Sequence, residues 1–207
     1  AKNYLPNKLG LNKDNIKVVS IMPCISKKQE ANREEMKSED GIRDVDIVIT
    51  TRELAKLIRE AGIDIVNLQD SNFDNPLGES SGAGAIFGAS GGVMEAALRT
   101  SYEWITGKTL DKVDFEAVRG LDGIKEAKID FNGQEINIAV VSSLGNAKKI
   151  MNDLRSGKSK YQFIEVMACL GGCINGGGQP YIKSSREVLK SRMDSIYMAV
   201  SYTHLTL

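Results

Sequence analysis

The sequence predicts an α/β fold, with sheets flanked by helices. Apolar, β-branched runs alternate with segments of helical spacing, in the order strand, helix, strand, helix, hairpin, helix, strand. An Asn132-Gly133 pair divides two alternating runs, the strongest short-range signal for a hairpin. The length, 207 residues, is enough for one large domain or two small lobes with a substantial core.

Each element has its own warrant. Residues 16–22 (IKVVSIM) read as a buried strand that stops at Pro23, which has no N–H for a ladder. The charged stretch 26–38 predicts a helix after the turn. Residues 45–51 (VDIVITT) form a second β-branched run. Leu54, Leu57, Ile58 and Ala61 recur at helical spacing, with Thr50 or Thr51 as cap and Gly62 as stop. A long polar and glycine-rich loop, 70–92, opens a helix over 91–107. The hairpin follows over 123–145, then an amphipathic helix over 146–159. A last apolar strand, YQFIEVMAC, delivers Cys169.

Composition removes several function classes. Lys and Arg total 27, as do Asp and Glu, so no net charge draws the chain to nucleic acid or to a membrane surface. The apolar share is 42% and the charged share 26%, as in a soluble globular protein. No run reaches the length of a membrane span, and no export signal is visible. His204 is the only histidine, which excludes a catalytic triad and a zinc site of mixed Cys and His ligands. Three cysteines, Cys24, Cys169 and Cys173, make an odd set for a disulfide framework and point to a reducing compartment, the cytoplasm.

Cys24 and Cys169 share a context: each ends a Met-x-Cys triplet after an apolar strand. Open α/β sheets bind ligands beyond the carboxyl ends of their strands, so both thiols could serve one site. Cys173 lies four positions past Cys169; if that turn is helical, both sulfurs face one side. Buried structural thiols are the bland alternative, and Cys24 alone fits it. The pair does not, because glycine recurs at Gly171, Gly172, Gly176, Gly177 and Gly178 at a cost in chain entropy. Glycines there let main chain approach a bulky object. A structural zinc wants four protein ligands and iron–sulfur clusters usually take four thiolates; three are available.

The loop GAGAIFGASGG fails two phosphate-binding tests. After Gly82 and Gly84 a dinucleotide fingerprint needs a third glycine where Phe87 stands; Gly88 comes one residue late. A P-loop needs Gly-Lys-Ser/Thr, which is absent. Close packing around a buried object, or a helix start, explains the glycines better.

Three motifs in this order, MPCISKKQE, GAGAIFGASGGVMEAALR and EVMACLGGCINGGGQP, resemble the catalytic domain of iron-only (FeFe) hydrogenase. The resemblance covers nearly all of residues 17–180. It implies two lobes meeting around a buried iron–sulfur site. It also implies the H-cluster, a 4Fe–4S cubane joined through a cysteine sulfur to a di-iron subcluster with CO, CN and a bridging dithiolate. The reaction implied is reversible, heterolytic formation and cleavage of H2. Carried over by motif, Cys24 and Cys169 would ligate the cubane and Cys173 would bridge it to the di-iron unit. Lys27 would donate a hydrogen bond to a cyanide ligand, the charge-assisted kind. Met22 and Met167 would pack on the cluster, and Phe87 and Gly88 would help wall the di-iron unit. From the residues alone, Lys27 reads as a solvated charge beside Lys28, and the two methionines as plain core. The partners implied are H2 and protons, an electron carrier such as ferredoxin or NAD(P)-linked subunits, and H-cluster maturation proteins.

The sequence departs from the family at both ends. An earlier Thr-Ser-Cys-Cys-Pro motif, source of a further cubane thiolate and a proton-relaying cysteine, is missing, and Ala1 is not a methionine. The expectation is an N-terminally truncated domain over 1–183, inactive alone. Residues 184–200 resemble the start of a small-subunit-like region, and 201–207 read as a non-native tail, with no role for His204. The alternative function is a non-catalytic iron–sulfur protein related to hydrogenase, either an assembly factor or an H2 sensor.

Overall fold

The computed structural model describes residues 1–74, 76–78, 81–108, 119–131, 133–183 and 185–200. Asn132 of the predicted turn and the tail with His204 lie outside the described residues. The chain divides into two compact units. Unit 1 comprises 1–79 and 176–181; unit 2 comprises 80–175 and 182–207. Among the described residues no helix is long and apolar enough to cross a membrane.

Unit 1 holds α1 (Leu5–Leu9), β1 (Val19–Met22), α2 (Ser26–Glu30), β2 (Ile47–Thr50) and α3 (Thr51–Glu60). β1 and β2 pair in parallel, from Val19↔Ile47 to Met22↔Thr50. β1 starts later than the predicted residue 16 because Asn12 accepts the Asp14 N–H and caps a 3-10 turn, Lys13–Asn15, whose last bond is Ile16 N–H to Lys13 O. It stops before Pro23, as expected. The predicted helix over 26–38 shrinks to α2. Asn32 Nδ2 donates to the Lys28 carbonyl at 2.7 Å, and a 3-10 turn follows at Glu34–Met36. α3 matches the prediction through a capping box: Thr50 Oγ1 accepts the Glu53 N–H, and Glu53 Oε2 accepts the Thr50 N–H at 2.7 Å. Gly62 ends it in a left-handed conformation.

Unit 2 holds α4 (Ala83–Ile86), α5 (Gly92–Thr106), β3 (Ile124–Phe131), β4 (Gln134–Ser142), α6 (Leu144–Arg155), β5 (Phe163–Met167) and α7 (Arg186–Val200). Its sheet has the order β3-β4-β5; β3 and β4 form the antiparallel hairpin, and β5 pairs in parallel with β4 after α6. β4 is buried on both faces, and its period of two sorts the core. Ile138 and Val140 pack with Ile129 against Met94 and Leu98 of α5. Ala139 and Val141 pack against Ile150 of α6. Burying each of the larger side chains stabilises by roughly 1.5–3 kcal/mol. α4 lies inside the stretch read as loop. Its Ala83 and Ile86 bury against Ala96, with Phe87 and the α7 residues Ile196 and Tyr197 packed alongside.

Candidate metal centre

In unit 1 the chain leaves β1 at Met22 and passes through Pro23 to Cys24, which is half-buried, as is Met22. α2 begins two residues later and carries Lys27. The Lys27 ammonium is paired with Glu30, 2.7 Å away on the next turn, and its side chain is 44% exposed. The glycine run docks at the carboxyl ends of both strands. Gly178 N–H donates to Pro23 O at 2.8 Å, and Gly178 O accepts the Arg52 N–H at 3.1 Å. The Arg52 guanidinium adds a bond to Gly177 O at 2.8 Å. A Cβ on Gly178 would sit 2.9 Å from both the Pro23 carbonyl carbon and the Thr50 Cβ, so no side chain fits.

In unit 2, β5 ends at Met167, and Cys169 and Cys173 follow, both half-buried. The turn between them is not helical, so the conditional expectation of one helical face does not hold. Gly171 and Gly172 are left-handed, at φ 79° and 95°. The Gly172 N–H closes onto Cys169 O at 3.0 Å, and a 3-10 turn begins at Cys173. This loop lies against the turn 88–91. Ser90 N–H donates to Gly171 O, and Ile174 N–H donates to Gly88 O, each at 3.0 Å. A Cβ on Gly172 would stand 2.6 Å from Ser90 N and 2.9 Å from Gly88 O. Gly88 therefore touches the main chain of the loop that runs from Cys169 to Cys173. Phe87 precedes it, packed on the Ala83–Ile86 cluster.

Three buried charged groups of unit 2, two of them holding the turn 88–91, were not found by sequence reasoning. Glu165, in the middle of β5, accepts the Gly91 N–H at 2.7 Å and the Met94 N–H at 2.8 Å. Lys125, on β3, donates to Ser90 O at 3.1 Å and Gly120 O at 3.2 Å. Burial pushes the Lys125 ammonium down to about 8, with Glu165 and Asp122 acting against the shift. Glu95, fully buried on α5, holds Arg119 at 2.7 Å and Arg99 at 3.0 Å. The Arg119 guanidinium, raised above its usual range by that carboxylate, also lies 4.4 Å from the Tyr197 ring centre. The available signal was a charge inside an apolar run, the Glu of FIEVM and the Glu of VMEAAL; Lys125, in the charged stretch GIKEAK, gave no such signal.

In each unit, taken by itself, the cysteine thiols are donors of the kind an iron–sulfur group takes. The three cysteines form no disulfide. Ser90 Oγ, beside the cysteine loop, is buried with no hydrogen-bond partner among the described residues. Among those residues no three His, Cys, Asp or Glu side chains gather as a single ion would require.

A family profile described as "Iron only hydrogenase large subunit, C-terminal domain" matches residues 1–177. The chain is 53% identical over 197 residues to the NADP-reducing hydrogenase subunit HndD of Solidesulfovibrio fructosivorans, covering 95% of this chain and 33% of that protein. It is 49% identical to the periplasmic [Fe] hydrogenase large subunit of Nitratidesulfovibrio vulgaris, covering 95% of this chain and 47% of the relative. Protein NAR1 of Arabidopsis thaliana is 32% identical, over 95% of this chain and 44% of NAR1. Among solved structures, a variant of [FeFe]-hydrogenase HydA1 from Chlamydomonas reinhardtii superposes with a TM-score of 0.79 at 37% identity, covering 98% of this chain and 58% of that one. The chain thus spans a third to under half of these curated relatives. With its α/β units, its half-buried cysteines at strand ends and this match over most of its length, the chain belongs to the family formed by the C-terminal domain of the large subunit of iron-only hydrogenases.

Proposed function

We propose that residues 1–183 form part of an H-cluster domain, in which Cys24, Cys169 and Cys173 supply thiolates to one iron–sulfur centre. The activity proposed is that of a larger hydrogenase to which this domain would contribute, reversible heterolytic formation and cleavage of H2; the 207-residue chain by itself is expected to be inactive. One observation carries the reading. The main chain of the Cys169–Cys173 loop packs on 88–90 with no room for a Cβ at Gly172, which fixes two half-buried thiols on bare backbone.

The bound group would supply the redox and H2 chemistry; the protein supplies ligands, access and polarity. Cys24 and Cys169 are the proposed cubane ligands, and Cys173 the bridging one. Met22 and Met167, half-buried beside the cysteines that follow them, offer polarisable apolar surface. Phe87 and Gly88 wall the di-iron side. Lys27 is the proposed donor to an anionic ligand. It must leave Glu30 to do so, and an exposed pair three residues apart holds it by only about 0.5 kcal/mol.

The proposed electron partners are ferredoxin or NAD(P)-linked subunits; 53% identity to a subunit of an NADP-reducing hydrogenase supports the latter. Maturation proteins would deliver the di-iron unit. The use of cysteine supports a cytoplasmic setting.

The test is anaerobic reconstitution of the 207-residue chain with iron and sulfide. Cubane-type iron should bind, and Cys24→Ser, Cys169→Ser and Cys173→Ser should each reduce it. Unchanged iron in the triple variant would sink the proposal. The second reading is an iron–sulfur protein without the di-iron unit, which the 32% identity to a cytosolic Fe–S cluster assembly factor of Danio rerio supports. A protein that binds the cubane but gains no CO and CN infrared bands after maturation would favour it.

A further inference from the structure

We infer that Glu165 and Lys125 are positioning residues that set the geometry of the Cys169–Cys173 loop through the turn 88–91. The functional weight of that loop rests on the reading above, but the inference about its geometry does not.

The two side chains belong to one row across the sheet. Lys125 of β3 is the register partner of Val140, and Val140 is the register partner of Glu165 on β5. Register partners in a ladder point to the same face. Val140 packs on Met94 and Leu98, so the whole row faces α5. An acid and a base thus flank one apolar residue, and both are nearly sealed from solvent, at 9% and 7% exposure.

Both reach the same peptide turn from below. The Glu165 carboxylate takes two amides, Gly91 and Met94, at the start of α5. Helix-start amides have no partner within the helix, and the helix dipole favours an anion there. The Lys125 ammonium takes the carbonyl of Ser90, the other side of the same peptide link. The Ser90–Gly91 peptide is therefore pinned through its oxygen and its nitrogen by opposite charges.

The upper side of that turn holds the cysteine loop. Ser90 N–H binds Gly171 O and Gly88 O binds Ile174 N–H. These two bonds straddle Gly172, where the backbones touch. Moving the turn would therefore move the loop between Cys169 and Cys173. Each charged group acts on the cysteines through the peptide it holds.

The test begins with metal-free protein and amide hydrogen exchange. Glu165→Gln places an N–H₂ against one of the two amides, and Lys125→Met keeps the stem but loses both bonds. Each should speed exchange at Ser90 and Ile174 more than about threefold, with about tenfold expected, because bonds to charged groups are strong and local opening is set by them. Val140 in β4 should remain protected. Ile150→Ala serves as control, since it weakens the opposite sheet face without touching the turn. Glu165→Asp, which keeps the charge and shortens its reach, is the second variant should Glu165→Gln fail to fold. Exchange at Ser90 and Ile174 that rises less than about threefold, or that rises equally in β4, overturns the inference. A second arm reads the reconstituted protein: iron content should be kept while the cubane's EPR line shape shifts. Absence of bound iron in wild type would defeat the metal reading and leave the exchange result standing.

Discussion

At the scale of single residues, the glycines separate by what surrounds them. Gly172 combines φ 95° with backbone atoms 2.6 Å from a Cβ position, whereas Gly145, inside α6, has nothing within 4 Å. Gly172→Ala should lower the stability of unit 2 by about 1–3 kcal/mol and reduce iron uptake. Gly145→Ala should raise stability by roughly 0.5–1 kcal/mol; chemical denaturation monitors both. Lys125 gives a pH signature. Its folded value, about 8, lies below the ordinary 10.5, so the unfolded chain binds more protons between these values and stability rises with pH there. Across the full window the gain is about 3 kcal/mol. The stability difference between wild type and Lys125→Met, followed by denaturation from about pH 7 to 10, should show that rise; a flat difference would contradict it. The sequence made the glycine run conspicuous but did not say which glycines are obligatory, because obligation comes from residues far along the chain, such as Ser90 for Gly172 and Thr50 for Gly178. The roles of Glu165 and Lys125 were illegible for the same reason. Their partners are main-chain atoms of a turn that only the folded register brings near. The pairing of Lys27 with Glu30 is local, and its spacing was open to reading.

At the scale of elements, local chemistry was the readable part. α3 follows its sequence signal because the capping box is written within four residues, Thr50 to Glu53. Thr50→Ala should cost about 1 kcal/mol, seen as a lowered melting temperature; an unchanged value would show that the cap is idle. β1 and β2 came out shorter than their apolar runs, since tertiary pairing trims a strand to where a partner exists. The hairpin was legible from alternation and its turn, yet β4 is covered on both faces and reads as a continuous run, IAVV. α4 was missed because Gly82, Gly84 and Gly88 mask a short helix whose reason to form is burial against α5 and α7. Ser143 illustrates a conflict the sequence hides: it sits at φ 78° yet caps α6 by accepting the Asn146 N–H.

At the scale of the whole molecule, the α/β class and the three motifs, two of them bearing the cysteines, were legible, and the family follows from them. Three cysteines fall one short of the usual cubane set. The 207-residue chain, after reconstitution and maturation, should therefore evolve no measurable hydrogen; a measurable rate would contradict this. Two lobes were expected from the resemblance, but their boundaries were not legible, because unit 1 is built from two stretches separated by nearly a hundred residues. Nothing local in GGGQP says that it belongs with Pro23 and Arg52. That discontinuity bears on biogenesis. A ribosome delivers β1, β2 and α3 first, but the carbonyl of Pro23 and the amide of Arg52 have no Gly178 to meet until the second unit has largely emerged. The early part of the protein must wait, incomplete, for the late part. The speed of translation over that interval should therefore bear on how much of unit 1 reaches its folded form.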